Sequence, residues 1–175
     1  MELMNAIHER KSYRKPYNPD PIPAEAIKEI LEAGVAAPSG CNQQTTRFIG
    51  VNDPELAHKL AEIYDKPWAL TAPAAILLLT KEHVSYRGNS YHIHDCSAAA
   101  ENILLAAVDK GYATTWIEGQ IEGEKARQMG DLLGVPQDLT VAIYMPLGIP
   151  AEENPGVAKM PFEDRAWLNG YGKSF

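Results

Sequence analysis

A long apolar segment, residues 91–109, sets the strongest constraint on how this chain can fold. At helical spacing its apolar residues run almost all the way round, instead of forming a single stripe. A helix with so little polar surface must be buried in the core or in a subunit interface. A glycine follows at position 111, as is typical of a helix end. The apolar residues concerned are Ala98, Ala99, Ala100, Ile103, Leu104, Leu105, Ala106, Ala107 and Val108.

A second apolar run predicts the centre of a sheet. Residues 74–80 show no alternation of polar and apolar side chains, which indicates a strand buried on both faces. Residues 81–90 are expected to form a polar loop, and the chain after Gly148 an extended tail. Because helices and strands alternate irregularly, we predict an α+β fold with one domain, residues 1–175. The remaining pattern predicts helices over 2–9, 24–36, 53–65 and 121–133, and strands over 48–51, 113–117 and 139–147.

Composition narrows the class of protein. Sixteen basic against 23 acidic residues give a net charge of -7, which disfavours nonspecific binding to nucleic acid. The longest apolar run, residues 72–79, is too short to span a bilayer. Cys41 and Cys96 lie far apart, so a disulfide framework is not expected. With no signal-peptide pattern at the N-terminus, we expect a cytoplasmic protein that binds neither membrane nor nucleic acid.

Two short segments in the first quarter of the chain indicate a cofactor. Residues 10–14 place three cations around a hydroxyl, a combination that suits a phosphate. Residues 38–44 form a turn of small and amide residues, which suit the donor–acceptor edge of a heterocycle. Either segment alone is typical of an ordinary surface, but together they predict flavin mononucleotide (FMN). The candidate residues are Arg10, Lys11, Ser12, Arg14, Pro38, Ser39, Gly40, Asn42 and Gln44.

The order and spacing of these segments resemble the nitroreductase family of FMN-dependent oxidoreductases. The resemblance implies a central mixed or antiparallel sheet flanked by helices, with a C-terminal tail that extends to a partner subunit. It also implies a homodimer that binds FMN across its interface, and segment 91–109 is our candidate for the core of that interface. The match is weakest across residues 66–90, where larger members insert helices that help to cover the flavin.

The same resemblance implies a role for each candidate residue. Arg14 would lie at the pyrimidine edge of the flavin and stabilise negative charge on the reduced ring. A turn at Glu118 and Gly119 would present backbone N–H groups to the ring, although an edge strand ending in a glycine turn is the more ordinary interpretation of that segment alone. The phosphate and ribityl end would contact Arg10, Ser12 and Lys159, and the partner subunit would supply Pro38, Ser39, Asn42 and Gln44.

The implied reaction is a ping-pong cycle. NADH or NADPH reduces the flavin, and a nitroaromatic, quinone or similar electron-poor acceptor then takes the same place. No side chain is needed as a general acid, since solvent can supply the proton, so we assign no catalytic residue. No reader of the ribose phosphate is identifiable, which leaves NADH and NADPH equally open. Aromatic residues of the loop region, Trp68, Tyr86 and Tyr91, are candidates for the substrate pocket.

Other interpretations stay open at this point. The same scaffold supports dehalogenation, desaturation and flavin cleavage, and a flavin-binding protein without enzymatic activity is a further alternative. A structural domain without cofactor would leave the basic segment unexplained. The sequence His92-Ile93-His94-Asp95 resembles a metal ligand set, but residues two apart on a helix diverge, so no metal site is predicted. We interpret Cys41 as a small packing residue.

Overall fold

A computed structural model describes residues 1–175 and contains one four-stranded sheet. Its strands are β1 (Arg47–Val51), β2 (Ala74–Thr80), β3 (Ala113–Thr114) and β4 (Thr140–Gly148), and their order in space is β1-β2-β4-β3. Every pair is antiparallel. All seven residues of β2 are buried, so the prediction of a strand covered on both faces is confirmed.

The chain has five helices: α1 (Leu3–Glu9), α2 (Ala24–Val35), α3 (Pro54–Tyr64), α4 (His92–Asp109) and α5 (Glu124–Leu133). Helices α2 to α5 cover the two faces of this sheet, and α1 packs on α4. Alternate residues of β2 point to opposite faces. Ile76 and Leu78 pack with α2 and α4, and Leu77 packs with α3 and α5. Two hydrophobic layers therefore enclose the sheet, as the predicted α+β class requires.

Helix α4 is the central helix that the sequence predicts. Its core-facing residues, among them Ala100 and Ile103, are fully buried against the sheet and α2. The helix ends at Asp109 because Gly111 adopts a positive φ of +79°, and its N–H donates to the carbonyl of Val108. No helix of the chain has both the length and the hydropathy that a bilayer crossing requires.

The strand predicted over 113–117 is shorter than expected. Regular pairing with β4 covers Ala113 and Thr114, and only an isolated bridge between Ile117 and Tyr144 continues it. In this register Thr115 lies opposite Pro146, which has no N–H to donate. The proline therefore interrupts the ladder between Thr114 and Ile117, although the register is the same on both sides.

One helical prediction also needs correction, and two helices leave apolar side chains exposed. Helix α5 begins at Glu124 and not at 121, since Gly123 has a φ of +75° that a helix cannot continue. In α1 two large apolar side chains are exposed in the single chain: Leu3 is 66% exposed and Met4 58%. Val35, the last residue of α2, is likewise 68% exposed.

Candidate functional site

The basic segment, residues 10–14, lies along the edge of the sheet. The Tyr13 N–H donates to the carbonyl of Thr114 at 3.0 Å, and Tyr17 forms a bridge with Pro150. Tyr13 and Tyr17 are buried with ring centroids 5.0 Å apart, so the residues between and beside them are turned outward. The exposed members of the segment are Lys11, Ser12 and Arg14.

The first part of the C-terminal tail fixes this segment in place. The backbone N–H groups of Ala151 and Glu152 both donate to the Tyr13 hydroxyl, at 3.1 and 3.2 Å. The Asn154 amide donates to the carbonyl of Ser12 at 3.0 Å. The segment is therefore held through its backbone, which leaves its polar side chains available to a ligand.

The two arginines of the segment differ in their partners. Arg10 pairs with Glu101 at 3.4 Å, whereas Arg14 has no ion pair. Burial raises the pKa of Tyr64, and the Arg14 guanidinium nearby opposes that rise. Arg14 is thus an exposed cation that forms no ion pair with a carboxylate of the chain.

The second segment, residues 38–44, forms an exposed turn with an unusual backbone. The Ser39 hydroxyl accepts the Gln44 N–H at 2.9 Å, and the Gln44 amide donates to Asn42 at 3.2 Å. Three non-glycine residues of the turn have positive φ: Cys41 at 51°, Asn42 at 55° and Gln44 at 50°. Such a conformation is strained and persists only where surrounding contacts hold it.

Those contacts come from helix α4. Asp95 is 5% exposed, accepts the Gly40 N–H at 2.7 Å and accepts the Thr45 hydroxyl at 3.0 Å. Tyr91 packs directly beneath Gly40, where a Cβ atom would lie 2.7 Å from the tyrosine Cβ. Neither Asp95 nor Tyr91 was assigned to this turn from the sequence, which considered Asp95 only as a metal ligand.

The third segment is the turn at Glu118 and Gly119, after the interrupted strand. The Trp116 indole N–H donates to the Glu118 carboxylate at 3.0 Å. The Tyr64 hydroxyl donates to the Gln120 side chain at 2.5 Å, so helix α3 supports this turn. Sequence reasoning missed this link between helix α3 and the turn.

The single chain does not gather all candidate residues into one cavity. The largest cavity, about 620 Å³, includes Lys11 but none of the other candidates. A cavity of about 260 Å³ is lined by Pro38, Ser39 and Gln44, and a separate one of similar volume by Glu118. Lys159 is exposed on the tail. The assigned roles of these residues stay predictions, and their separation is what a site shared between two subunits would show.

The side chains of the segment His92-Ile93-His94-Asp95, which resembles a metal ligand set, have other contacts. The His92 ring lies 2.6 Å from the Ser90 hydroxyl, and Asp95 is engaged by the turn. No group of three or more His, Cys, Asp or Glu side chains is close enough to hold a metal ion.

Of the aromatic candidates for the substrate pocket, Trp68 packs edge-on against Tyr64 at 5.8 Å, and Tyr86 is 55% exposed.

The two cysteines are expected to differ sharply in reactivity. Cys41 is exposed in the strained turn, so its interpretation as a packing residue is wrong. Burial, followed by the charges of Glu118 and Asp95, raises the pKa of Cys96 to about 12, so its thiol stays protonated at every pH below that value. Titration with dithionitrobenzoate at pH 8 should modify only Cys41 in the native protein and both thiols after denaturation. Rapid native modification of Cys96 would contradict this packing.

Comparison with known proteins identifies the family. A sequence profile described as the Nitroreductase family matches residues 7–69 and 63–149. The chain belongs to the nitroreductase family. A relative from Archaeoglobus fulgidus, provisionally named NADH dehydrogenase/NAD(P)H nitroreductase, is 35% identical over 153 residues, which cover 87% of this chain and 87% of that protein.

Solved nitroreductase structures extend the match along nearly the whole chain. One from Bacteroides thetaiotaomicron, with the same provisional name, is 28% identical with a TM-score of 0.83 and covers 98% of this chain and 99% of its own. A nitroreductase from Bacteroides fragilis, solved with bound FMN, is 26% identical with a TM-score of 0.74 and covers 96% and 98%. These matches confirm the nitroreductase fold predicted from the sequence.

Proposed function

We propose that this nitroreductase-family protein is an FMN-dependent oxidoreductase that uses NADH or NADPH to reduce nitroaromatic, quinone or related electron-poor acceptors. Gly119 provides the observation that carries the proposal. A Cβ atom built on Gly119 would meet no atom of the chain within 4 Å, and its φ is not in the left-handed region. The space beside Gly119 is therefore open, and the missing side chain would let a planar ring lie directly against the backbone.

The residues present fit the two ends of FMN. Lys11, Ser12 and Lys159 are exposed and supply two cations and a hydroxyl for the phosphate and ribityl end. Arg10 is a weaker candidate for this role, because it would have to exchange its ion pair with Glu101 for a contact with the phosphate. Val157, two positions before Lys159, adds no charge at this end, so we expect comparatively weak binding of the phosphate.

The residues assigned to the flavin ring offer backbone N–H donors and one cation. Bound FMN would supply the redox chemistry, accepting hydride from the nicotinamide and passing it to the acceptor. Arg14, which has no ion pair, would stand at the pyrimidine edge and favour negative charge there. The backbone of Glu118 and Gly119 would orient the ring, and Tyr64 would hold that turn through Gln120. No side chain is assigned a proton-transfer step.

We further propose that the active form is a homodimer with FMN at the interface. The exposed apolar side chains of α1 and of the tail support this, since a monomer seldom leaves so many large apolar residues in water. Val157 is 87% exposed, Phe162 63% and Tyr171 89%. We expect the tail to lie on the partner subunit, and the turn of residues 38–44 to reach the partner's cofactor.

The remaining proposals concern the surroundings of the protein. Its net charge of -7 argues against nucleic acid as a partner. Two unpaired cysteines, one of them exposed, suit a reducing compartment such as the cytoplasm. The physiological acceptor is a small molecule in this proposal, and the exposed loop of residues 81–90 leaves room for acceptors of different size.

Turnover distinguishes this proposal from its alternatives. The FMN-loaded protein should oxidise NADH or NADPH continuously when menadione or a nitrofuran is supplied, with parallel initial-rate lines typical of a ping-pong cycle. A flavin-binding protein without enzymatic activity would show no continuous oxidation. An enzyme with a different flavin chemistry would bind FMN but show no acceptor-dependent oxidation of either nicotinamide.

A further inference from the structure

We propose that Asp95 is a positioning residue for the cofactor turn, residues 38–44, and that its contacts set the affinity of the protein for FMN. This rests on the proposed function, in which that turn contacts the cofactor. Asp95 does not face the ligand itself. It acts through the backbone of Gly40 and the side chain of Thr45, which begin and follow the exposed part of the turn.

Both oxygens of the Asp95 carboxylate are committed to the turn. One accepts the Gly40 N–H at 2.7 Å, and the other accepts the Thr45 hydroxyl at 3.0 Å. Hydrogen bonds to an ionised acceptor are stronger than neutral ones, and more so where solvent is excluded. Asp95 is only 5% exposed, so both hydrogen bonds are largely shielded from solvent. Through them the central helix α4 fixes the turn at two points.

The turn needs these two hydrogen bonds because its backbone is strained. Cys41, Asn42 and Gln44 all have positive φ, and none of them is glycine. A left-handed conformation is unfavourable in isolation for Cys41 and Gln44, whereas Asn42 tolerates it better. The turn has three other side-chain hydrogen bonds: the Ser39 hydroxyl with the Gln44 N–H, the Gln44 amide with Asn42, and the Arg47 guanidinium with the Gln44 carbonyl at 2.6 Å. Without Asp95 we expect the turn to relax towards more common backbone angles and lose its ligand-binding geometry.

A general helix-stabilising role does not account for this arrangement. An acidic residue in the first turn stabilises a helix through the macrodipole, and an exposed carboxylate does so equally well. Asp95 is instead buried and directed at groups of another segment, 55 and 50 positions away along the chain. Tyr91, one helical turn earlier, packs against Gly40 and confines the same segment from below.

The test compares FMN affinity with stability in full-length variants. Asp95→Ala removes both contacts, whereas Asp95→Asn keeps their geometry, since its amide can accept from Gly40 and donate to the Thr45 hydroxyl. Val141→Ala is the matched control: Val141 is buried on the opposite face of the sheet and does not touch the turn. FMN dissociation constants are measured by flavin fluorescence, and stability by thermal unfolding of the flavin-free chain.

We expect Asp95→Ala to raise the FMN dissociation constant about tenfold, the size of one net charge-assisted hydrogen bond. Asp95→Asn should lose clearly less affinity than Asp95→Ala, because it keeps both hydrogen bonds without the charge. An equal loss of affinity in Val141→Ala at equal destabilisation would overturn the proposal, as would unchanged affinity in Asp95→Ala. If Asp95→Ala does not fold, Thr45→Val decides, with an expected loss of about threefold. A wild-type chain that binds no FMN would instead refute the proposed function.

Discussion

Replacement of Arg14 by alanine should slow the reduction of bound flavin by NADH or NADPH about 100-fold, the usual effect of losing one preorganised electrostatic contact. The physical reason is that Arg14 has no ion pair within the chain, so its full charge is available to the ligand. FMN retention should fall much less, because the phosphate end relies on other residues. Anaerobic stopped-flow absorbance gives the rate, and fluorescence titration gives the affinity.

Arg127→Ala provides the matched control for this experiment. It removes the same charge from an exposed position on α5, where Arg127 pairs with Glu124 and Asp131. The reduction rate of this variant should stay at the wild-type value. If Arg14→Ala instead loses FMN while the rate for the remaining bound flavin is unchanged, the assignment of Arg14 to the pyrimidine edge is wrong.

The largest structural effect is expected from shortening the tail. Truncation after Gly156 keeps the contacts of Ala151, Glu152 and Asn154 with the basic segment and removes only residues 157–175. These carry exposed apolar residues that would otherwise cover the partner subunit, together with Lys159. We expect the dimer to dissociate and FMN to be lost in parallel, measured by sedimentation velocity and by flavin absorbance of the same samples.

A milder change separates the apolar contacts from the phosphate contact. Lys159→Ala keeps the apolar surface, so it should weaken FMN binding while leaving the dimer intact. Phe162→Ser should weaken the dimer first, since Phe162 is 63% exposed and has no role at the phosphate. A truncated chain that remains dimeric and yellow would show that the tail is dispensable for both.

The fold was predictable wherever local composition determines burial. The continuous apolar run of β2 and the nearly all-round apolar character of α4 are both properties of single segments, and both identify the layers of the core. The interruption of the short strand was not predictable in this way. It depends on Thr115 lying opposite Pro146, and that register is known only once the two segments are paired.

The candidate site shows the same division. Residues 10–14 and 38–44 were found because their residue types and spacing carry the signal themselves. The contacts that hold them, Asp95 to Gly40 and Ala151 to Tyr13, join positions 55 and 138 apart in sequence. One signal for Asp95 was available: a carboxylate in a helix expected to be buried needs hydrogen-bond donors from elsewhere in the fold.

The cofactor content of the purified protein tests the central claim most directly. The visible absorption spectrum is recorded first, and the supernatant after denaturation is then analysed for flavin. Our account predicts a yellow protein that releases FMN in a ratio of about one per chain, consistent with one ring end and one phosphate end supplied by each protomer. A colourless protein that also fails to bind added FMN would contradict the account.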